Sequence, residues 1–347
     1  MDRSSADAFV YAKASGSLAK SFVGERANKL FAVTSLQELW SLVFKTEIPA
    51  VPEIMLAKKI EQEAEKRFLS GYISLLRNYS HPEPVLVEIL HFYDYDNLKD
   101  ITASLSIAYS LDKSPQIMEY SDIAEYSMLN YDKWPDVEAL TADSPLSWCK
   151  SVPSPNEQQA LDYKLDIQYI RSLWNSLQHL PSSCRSVVTD LIQNEMVLNN
   201  IIWALRLRVY YGFSKEQVLS QLPTVCDYKF LREVKADPIA KAAVETLNWD
   251  LDSYNDWAKW KYANLLNPHE EGEVWQVDPR WIQQAAKVMY NKKALQCFHR
   301  NPFSAAVLVS WFKIKQYELD CIRMVAEGLR LNVAQEQIVE FGGLKAN

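Results

Sequence analysis

PEIMLAKKIEQEAEKRFLSGYISLLRNYSHPEPVLVEILHFYDYDNL, residues 52–98, is the stretch on which the fold turns. From Ile54 onward Ala57, Ile60, Ala64, Phe68, Tyr72 and Leu75 hold a helical period for about six turns, with Lys58, Glu61, Glu65 and Lys66 on the outside. That pattern predicts a long amphipathic helix over 52–79. Pro82 and Pro84 then stop it, because proline lacks the N–H and its ring clashes with the preceding turn. Beyond the turn His81-Pro82-Glu83-Pro84, a second helix is expected over Val85 to Tyr109, carrying Tyr93-Asp94-Tyr95-Asp96-Asn97-Leu98.

The same design recurs twice. Glu157 to Leu180 runs into Pro181 and Pro279 to Arg300 runs into Pro302, with further helical sequence after each proline. Those second stretches carry Glu195-Met196-Val197-Leu198-Asn199-Asn200-Ile201 and Glu318-Leu319-Asp320-Cys321-Ile322-Arg323. The gaps from Pro82 to Asn97, Pro181 to Asn200 and Pro302 to Cys321 are 15, 19 and 19 residues, so one copy is shorter by about a turn. Three copies of one helical unit predict a body shaped by the repeat, with approximate units 1–120, 121–227 and 228–347.

Around the hairpins the signals are local. A first helix is expected over Ser4 to Phe22, with Tyr11, Leu18 and Phe22 on one face. Ser35 and Glu38 have capping-box spacing, with Leu39, Trp40, Val43 and Phe44 inward. Pro135, Pro145, Pro153 and Pro155 fall among Asp and Ser and mark 131–156 as irregular connection. Gly212 stands where a C-cap glycine ends the helix begun near Ser183, and Ser214 caps a short helix through Gln217. Tyr228 to Leu266, with Trp249, Tyr254, Trp257, Trp260 and Tyr262, is expected to be helical with less regular joints. His269 to Val277 is expected to be a polar, Glu-rich loop, and Asn332 to Gln335 to start a short terminal helix. No segment shows a strand period.

Composition agrees with an all-α fold. Eight glycines in 347 residues is low against the ~7% average, which disfavours tight hairpins, phosphate-cradling loops and Rossmann turns. Hydrophobic residues make up 48% of the chain, enough for a sizeable core. A formal charge of −7, a pI near 5.4 and no Lys/Arg cluster argue against nucleic-acid binding. Apolar runs such as Ala305 to Val309 fall far short of the ~20 residues that cross a bilayer. The start, Met1-Asp2-Arg3-Ser4-Ser5, lacks signal-peptide regions. Cys149, Cys184, Cys226, Cys297 and Cys321 show no paired spacing and read as reduced thiols. The expectation is a soluble, cytoplasmic protein.

Chemistry-bearing motifs are sparse: no P-loop, no nucleophile elbow and no zinc spacing. Glu88 and His91 form one Glu-x-x-His pair, but a di-iron bundle needs two plus two further Glu. Asp94 and Asp96 resemble a magnesium carboxylate pair, yet Asp94 shares its helix face with Asn97 while Asp96 points elsewhere. The acid and amide are better read as structural, bonding each other or capping neighbouring helix ends. The aromatics of the third unit and the Glu-rich loop are candidates for an interface, core packing being the plainer reading.

Tyr11-Ala12-Lys13-Ala14 with Leu18 and Phe22, Asp94-Tyr95-Asp96-Asn97-Leu98-Lys99, Glu195 with Asn200-Ile201, and Lys315-x-x-Glu318 with Ile322-Arg323 and Glu327-Gly328 form an ordered set. In order and spacing, over nearly the whole chain, this set resembles the family of C-type and d-type subunits of rotary V-type and A/V-type ATPases. Val197 stands where an acid is expected, and Cys321 takes the amide position. The resemblance implies three similar helical domains around a pseudo-threefold axis, forming a funnel with a central cavity. It implies a non-catalytic central-stalk component without cofactor or metal, coupling the central-shaft subunits to the membrane proteolipid ring. Its place would be the cytoplasmic face of the membrane, without a span of its own. Asp94, Asn97, Leu98, Glu195, Asn200, Ile201, Glu318, Ile322 and Arg323 would be the family's structural residues. Two other readings stay open: a helical-repeat scaffold outside any rotary motor, and an all-α enzyme with a metal at Asp94, Glu195 and Glu88.

Overall fold

The computed structural model describes residues 3–116, 119–270 and 272–342, which fold into fifteen α-helices without a strand. Of the expected features, Met1, Asp2, Glu271 and residues 343–347 lie outside them. The chain opens with α1 (Arg3–Leu18), α2 (Asn28–Phe31), α3 (Leu36–Phe44), α4 (Glu53–Leu76) and α5 (Pro84–Ser110). Then follow α6 (Val137–Thr141), α7 (Gln158–Ser176), α8 (Ser182–Tyr211) and α9 (Lys215–Gln221). The remainder holds α10 (Leu231–Val234), α11 (Lys241–Thr246), α12 (Tyr254–Trp257), α13 (Pro279–Arg300), α14 (Ala305–Arg330) and α15 (Gln335–Phe341).

The long helices form where periodicity and proline predict. Ala57, Ile60, Ala64, Phe68, Tyr72 and Leu75 are all buried on α4. Pro84 occupies the first turn of α5, where a missing N–H costs nothing. Gly212 ends α8 at φ 63°, with its own N–H and that of Phe213 bonded back to Arg208 and Leu207 carbonyls. Ser214 and Gln217 form both arms of a capping box. At α3 only one arm forms as expected: Ser35 accepts from Glu38 N at 3.2 Å, while Glu38 reaches past it to Thr34 N at 2.8 Å. The first helix stops at Leu18, and its buried face is Ala6, Asp7, Val10 and Ala14 rather than Tyr11, Leu18 and Phe22. Tyr11 instead stacks on Phe298, with centroids 5.4 Å apart.

The hairpins join second helix to first: α5 packs on α7, α8 on α13, and α14 on α4. Each pairing is antiparallel. Lys99 meets Asp166 at 2.5 Å and Ser106 meets the Pro153 carbonyl at 2.7 Å. Arg206 meets Gln283 at 2.5 Å, and Lys293 the Asp190 carbonyl at 3.0 Å. Arg323 pairs with Glu65. The three proline turns therefore gather at one end. There α1 bridges the first turn and the third: Arg3 pairs with Glu83, Asp7 accepts from the Tyr79 hydroxyl at 2.9 Å, and Tyr11 touches Phe298 and Phe303.

One core runs through all three hairpins. A second, smaller one lies between the outer half of α5, α6 and α7, built from Tyr95, Leu98, Ile101 and Leu105 against Val137, Leu140, Leu146, Cys149 and Leu165. The Pro-rich 131–156 segment is thus irregular but packed. In the third unit Trp257, Trp260 and Tyr262 are buried, and Trp249, Trp257 and Trp260 lie edge-on at 5.1 to 6.3 Å. Trp257, Trp260 and Tyr262 are therefore core rather than the candidate interface, while Trp249 and Tyr254 are half-buried. Trp275 and Val277 of the polar loop also turn inward.

Candidate functional site

Between the hairpins lies a hollow made of two adjoining cavities. One, about 300 Å³, is walled by α4, α5, α8, α13 and α14; the other, about 1210 Å³, lies chiefly between α7 and α8. They share Phe92, Glu195, Asn199, Lys313 and Gln316.

Ion pairs line the smaller cavity. Lys313 meets Glu195 at 2.9 Å, Lys287 meets Asp320 at 2.6 Å, and Arg323 meets Glu65. Lys313 is nearly inaccessible, so Glu195 offsets what would otherwise be an uncompensated buried ammonium. Asp96 opens onto the same space, its carboxyl pushed up by the surrounding protein against the pull of Lys99. Burial drives the Tyr93 and Tyr290 phenols far above the usual tyrosine range, so both remain neutral hydrogen-bonding groups. Glu65, assigned by periodicity to the outside of α4, belongs to this wall. Only the crossing of α14 makes that position interior.

The acid and amide positions do something else. Asn97 neither bonds Asp94 nor caps a helix: its side chain brackets Ser121, with Nδ2 donating to the carbonyl and Oδ1 accepting from the N–H, both at 2.9 Å. Asn200 donates to the Pro223 and Ile239 carbonyls, each at 3.0 Å. The two amides reach residues 24 and 23 positions downstream, so each pins the segment after its unit's second helix. Asp94 accepts from Met128 N at 2.6 Å, Ser127 at 2.8 Å and the Tyr131 hydroxyl at 2.9 Å.

Where Val197 replaces the acid, Asp237 supplies it from the loop. It accepts from the Val225, Ile239 and Ala240 N–H groups at 2.9 to 3.1 Å. On α14 Glu318 accepts from Phe22 N at 2.5 Å and pairs with Lys315, which donates to Ser21 at 3.1 Å. The segment pinned there is the one after α1, at the start of the chain. Burial pushes the Cys321 thiol, in the amide position, up to about 12. Leu98 belongs to the smaller core, Ile201 and Ile322 to the larger. Gly328 clears the way for α15: a Cβ there would stand 2.6 Å from Ile338 Cδ1.

The proposed metal constellation does not assemble. Asp94 faces the 127–131 loop, Glu195 faces Lys313, and Glu88 meets His91 at 3.1 Å, whose other nitrogen lies 3.1 Å from the Tyr126 carbonyl. Among the described residues no group of three or more His, Cys, Asp or Glu is placed to hold a metal ion. Sequence reasoning passed over Lys313 and Asp237. For Lys313 a signal existed, since it is the one charge in the apolar run Ala305 to Ile314.

Residues 24–341 match the family described as the ATP synthase (C/AC39) subunit. The chain belongs to that family. It is 30% identical over 345 residues to an uncharacterized protein of Treponema pallidum (strain Nichols), a match spanning 99% of this chain and 98% of the relative. The match agrees with the V/A-type ATPase resemblance carried by the ordered motifs and makes this chain an ATPase subunit. No helix among the described residues is long and apolar enough to cross a membrane.

Proposed function

We propose that this ATPase subunit is the non-catalytic central-stalk coupler, transmitting rotation between the central shaft and the membrane proteolipid ring during ATP-linked transport of H+ or Na+. It lies peripherally on the cytoplasmic face of the membrane, with units of about 1–120, 121–227 and 228–347 around a pseudo-threefold axis. The observation that carries this reading is the closed order of the seams, second helix on first helix three times, around a hollow. A coupler must resist twisting, and a core shared by all three hairpins supplies close packing that compresses little. The hollow receives the tip of the shaft, and Glu195 and Arg323 belong to its wall. Asp94, Asn97, Asn200 and Glu318 hold the connecting segments to the frame, and Leu98, Ile201 and Ile322 fill the cores.

Removing the gene and assaying inverted membrane vesicles tests this. ATP-driven ion uptake should be lost while the detached head still hydrolyses ATP, and purified chain should restore uptake. Undiminished uptake without the chain would overturn the proposal.

A further inference from the structure

α14 has two working faces. Lys313, Gln316, Asp320 and Arg323 look into the hollow. Trp311, Lys315, Glu318 and Ile322, at helical spacing on the opposite face, line a separate cavity of about 260 Å³. The segment after α1, the end of α3 and the middle of α4 complete its walls. Phe22, Phe44 and Phe68 make those walls aromatic, and Lys20, Arg67 and Lys315 set three cations against the carboxylate of Glu318. Such a balance stands out in a chain of formal charge −7. Glu318 answers Lys315, and Glu63 answers Arg67 at 2.6 Å. Lys20 is exposed and has no ion-pair partner among the described residues, so the cavity keeps one uncompensated positive charge.

Gly71 is a second sign that the space is kept open. A glycine in a helix interior destabilises it relative to alanine, so packing should supply a reason for one. At Gly328 it does, through Ile338. At Gly71, inside α4, a Cβ would meet only Trp311, at 3.4 Å from Cη2 and 3.9 Å from Cζ2, which are ordinary contacts. The fold does not require this glycine, but the missing Cβ leaves room beside the indole, on the wall of the cavity.

We propose that this cavity binds a small organic acid, an aromatic monocarboxylate. Its ring system lies among Phe22, Phe44, Phe68 and Trp311, and its carboxylate lies at the mouth with Lys20 and Arg67. The site goes beyond the coupling role and does not depend on it. A cavity of about 150 Å³ holds benzene, so 260 Å³ holds roughly ten ring atoms, a naphthalene. Aromatic walls suit a flat body, which can pack edge or face against them. A neutral body would leave Lys20 unanswered, and a cation would meet three like charges, whereas a monoanion gains a charge-assisted hydrogen bond.

Calorimetric titration of the isolated full chain with 1-naphthoate tests this, with 1-naphthalenemethanol as the uncharged analogue of the same shape. Naphthoate should bind about tenfold more tightly than the alcohol. Lys20→Ala should weaken naphthoate about fivefold and leave the alcohol unchanged. Gly71→Ala should raise the melting temperature, because alanine suits a helix, while weakening both ligands about fivefold by filling the space beside Trp311. A melting temperature that falls would show that packing requires the glycine and would count against the site. Naphthoate affinity untouched by both substitutions would put the ligand elsewhere on the chain and overturn the inference. So would an alcohol bound as tightly as the acid, or no binding of naphthoate at millimolar concentration. Ion uptake by vesicles does not enter these measurements, so the coupling role stands or falls separately.

Discussion

α4 and α7 each open a hairpin, yet ten of the 24 residues of α4 are buried and only three of the 19 in α7. Helix-forming sequence does not explain the difference, since both carry a helical apolar period. Coverage does: α14 lies along α4, whereas one face of α7 meets α5 and the other borders the hollow. One repeat thus yields a dry wall and a half-dressed wall, according to which helix crosses it.

The largest expected contrast lies at those two walls. Trp311→Ala should cost about 4 kcal/mol in urea unfolding, because a fully buried indole leaves a cavity in an aromatic cluster. Tyr163→Ala, on the face of α7 that borders the hollow, should cost about 1 kcal/mol or less. Equal losses at the two sites would break the comparison.

Next come two ion pairs between helices, one across the hollow from α14 to α8 and one in the α5/α7 seam. Glu195→Gln leaves Lys313 buried without a counter-charge and should cost about 3 kcal/mol, most of it recovered when Lys313→Met is added. Asp166→Asn should cost below about 1 kcal/mol, since Asp166 is half exposed beside Lys99. A reversed order would mean that the exposed α5/α7 pair holds the fold more strongly than the buried α8/α14 pair.

The amide pins sharpen the comparison between units. Asn200→Ala and Asn97→Ala should each cost about 2 kcal/mol by leaving loop backbone groups unpaired. Hydrogen exchange should quicken in 223–239 for the first and near Ser121 for the second; exchange rising evenly over the whole chain would contradict local pinning.

The smallest effect is a pH dependence. Burial raises the Asp94 carboxyl above its ordinary 3.8, so folding favours its protonated form. Stability from this group is present below the ordinary value and is lost as pH climbs through the raised one. The stability of the native chain relative to Asp94→Asn should therefore decline from about pH 4 upward and then level off. A relative stability that increases over that interval would show the carboxylate to be favoured by its three donors.

The hairpins could be read early because their causes are local. Proline stops, the αL glycine at 212 and the apolar stripe of α4 act within a turn or two. The acid and amide positions could be found but not understood, because Asn97 and Asn200 bond backbone more than 20 residues away. Asp237 escaped notice because one acid in a loop carries no period. Glu65 was placed on the wrong side because periodicity finds a helix's apolar face but not a second neighbour across its polar one.

From sequence alone came the all-α class, the three proline-broken hairpins and the ordered motifs that point to a rotary ATPase subunit. Only tertiary structure decided that the hairpins share one direction, that α1 bridges the first turn and the third, and that the hollow is walled by pairs such as Glu65 and Arg323. Those two residues stand 258 positions apart. Periodicity is written by neighbours a few residues away, whereas a cavity wall depends on which helices cross, and no single helix carries that information.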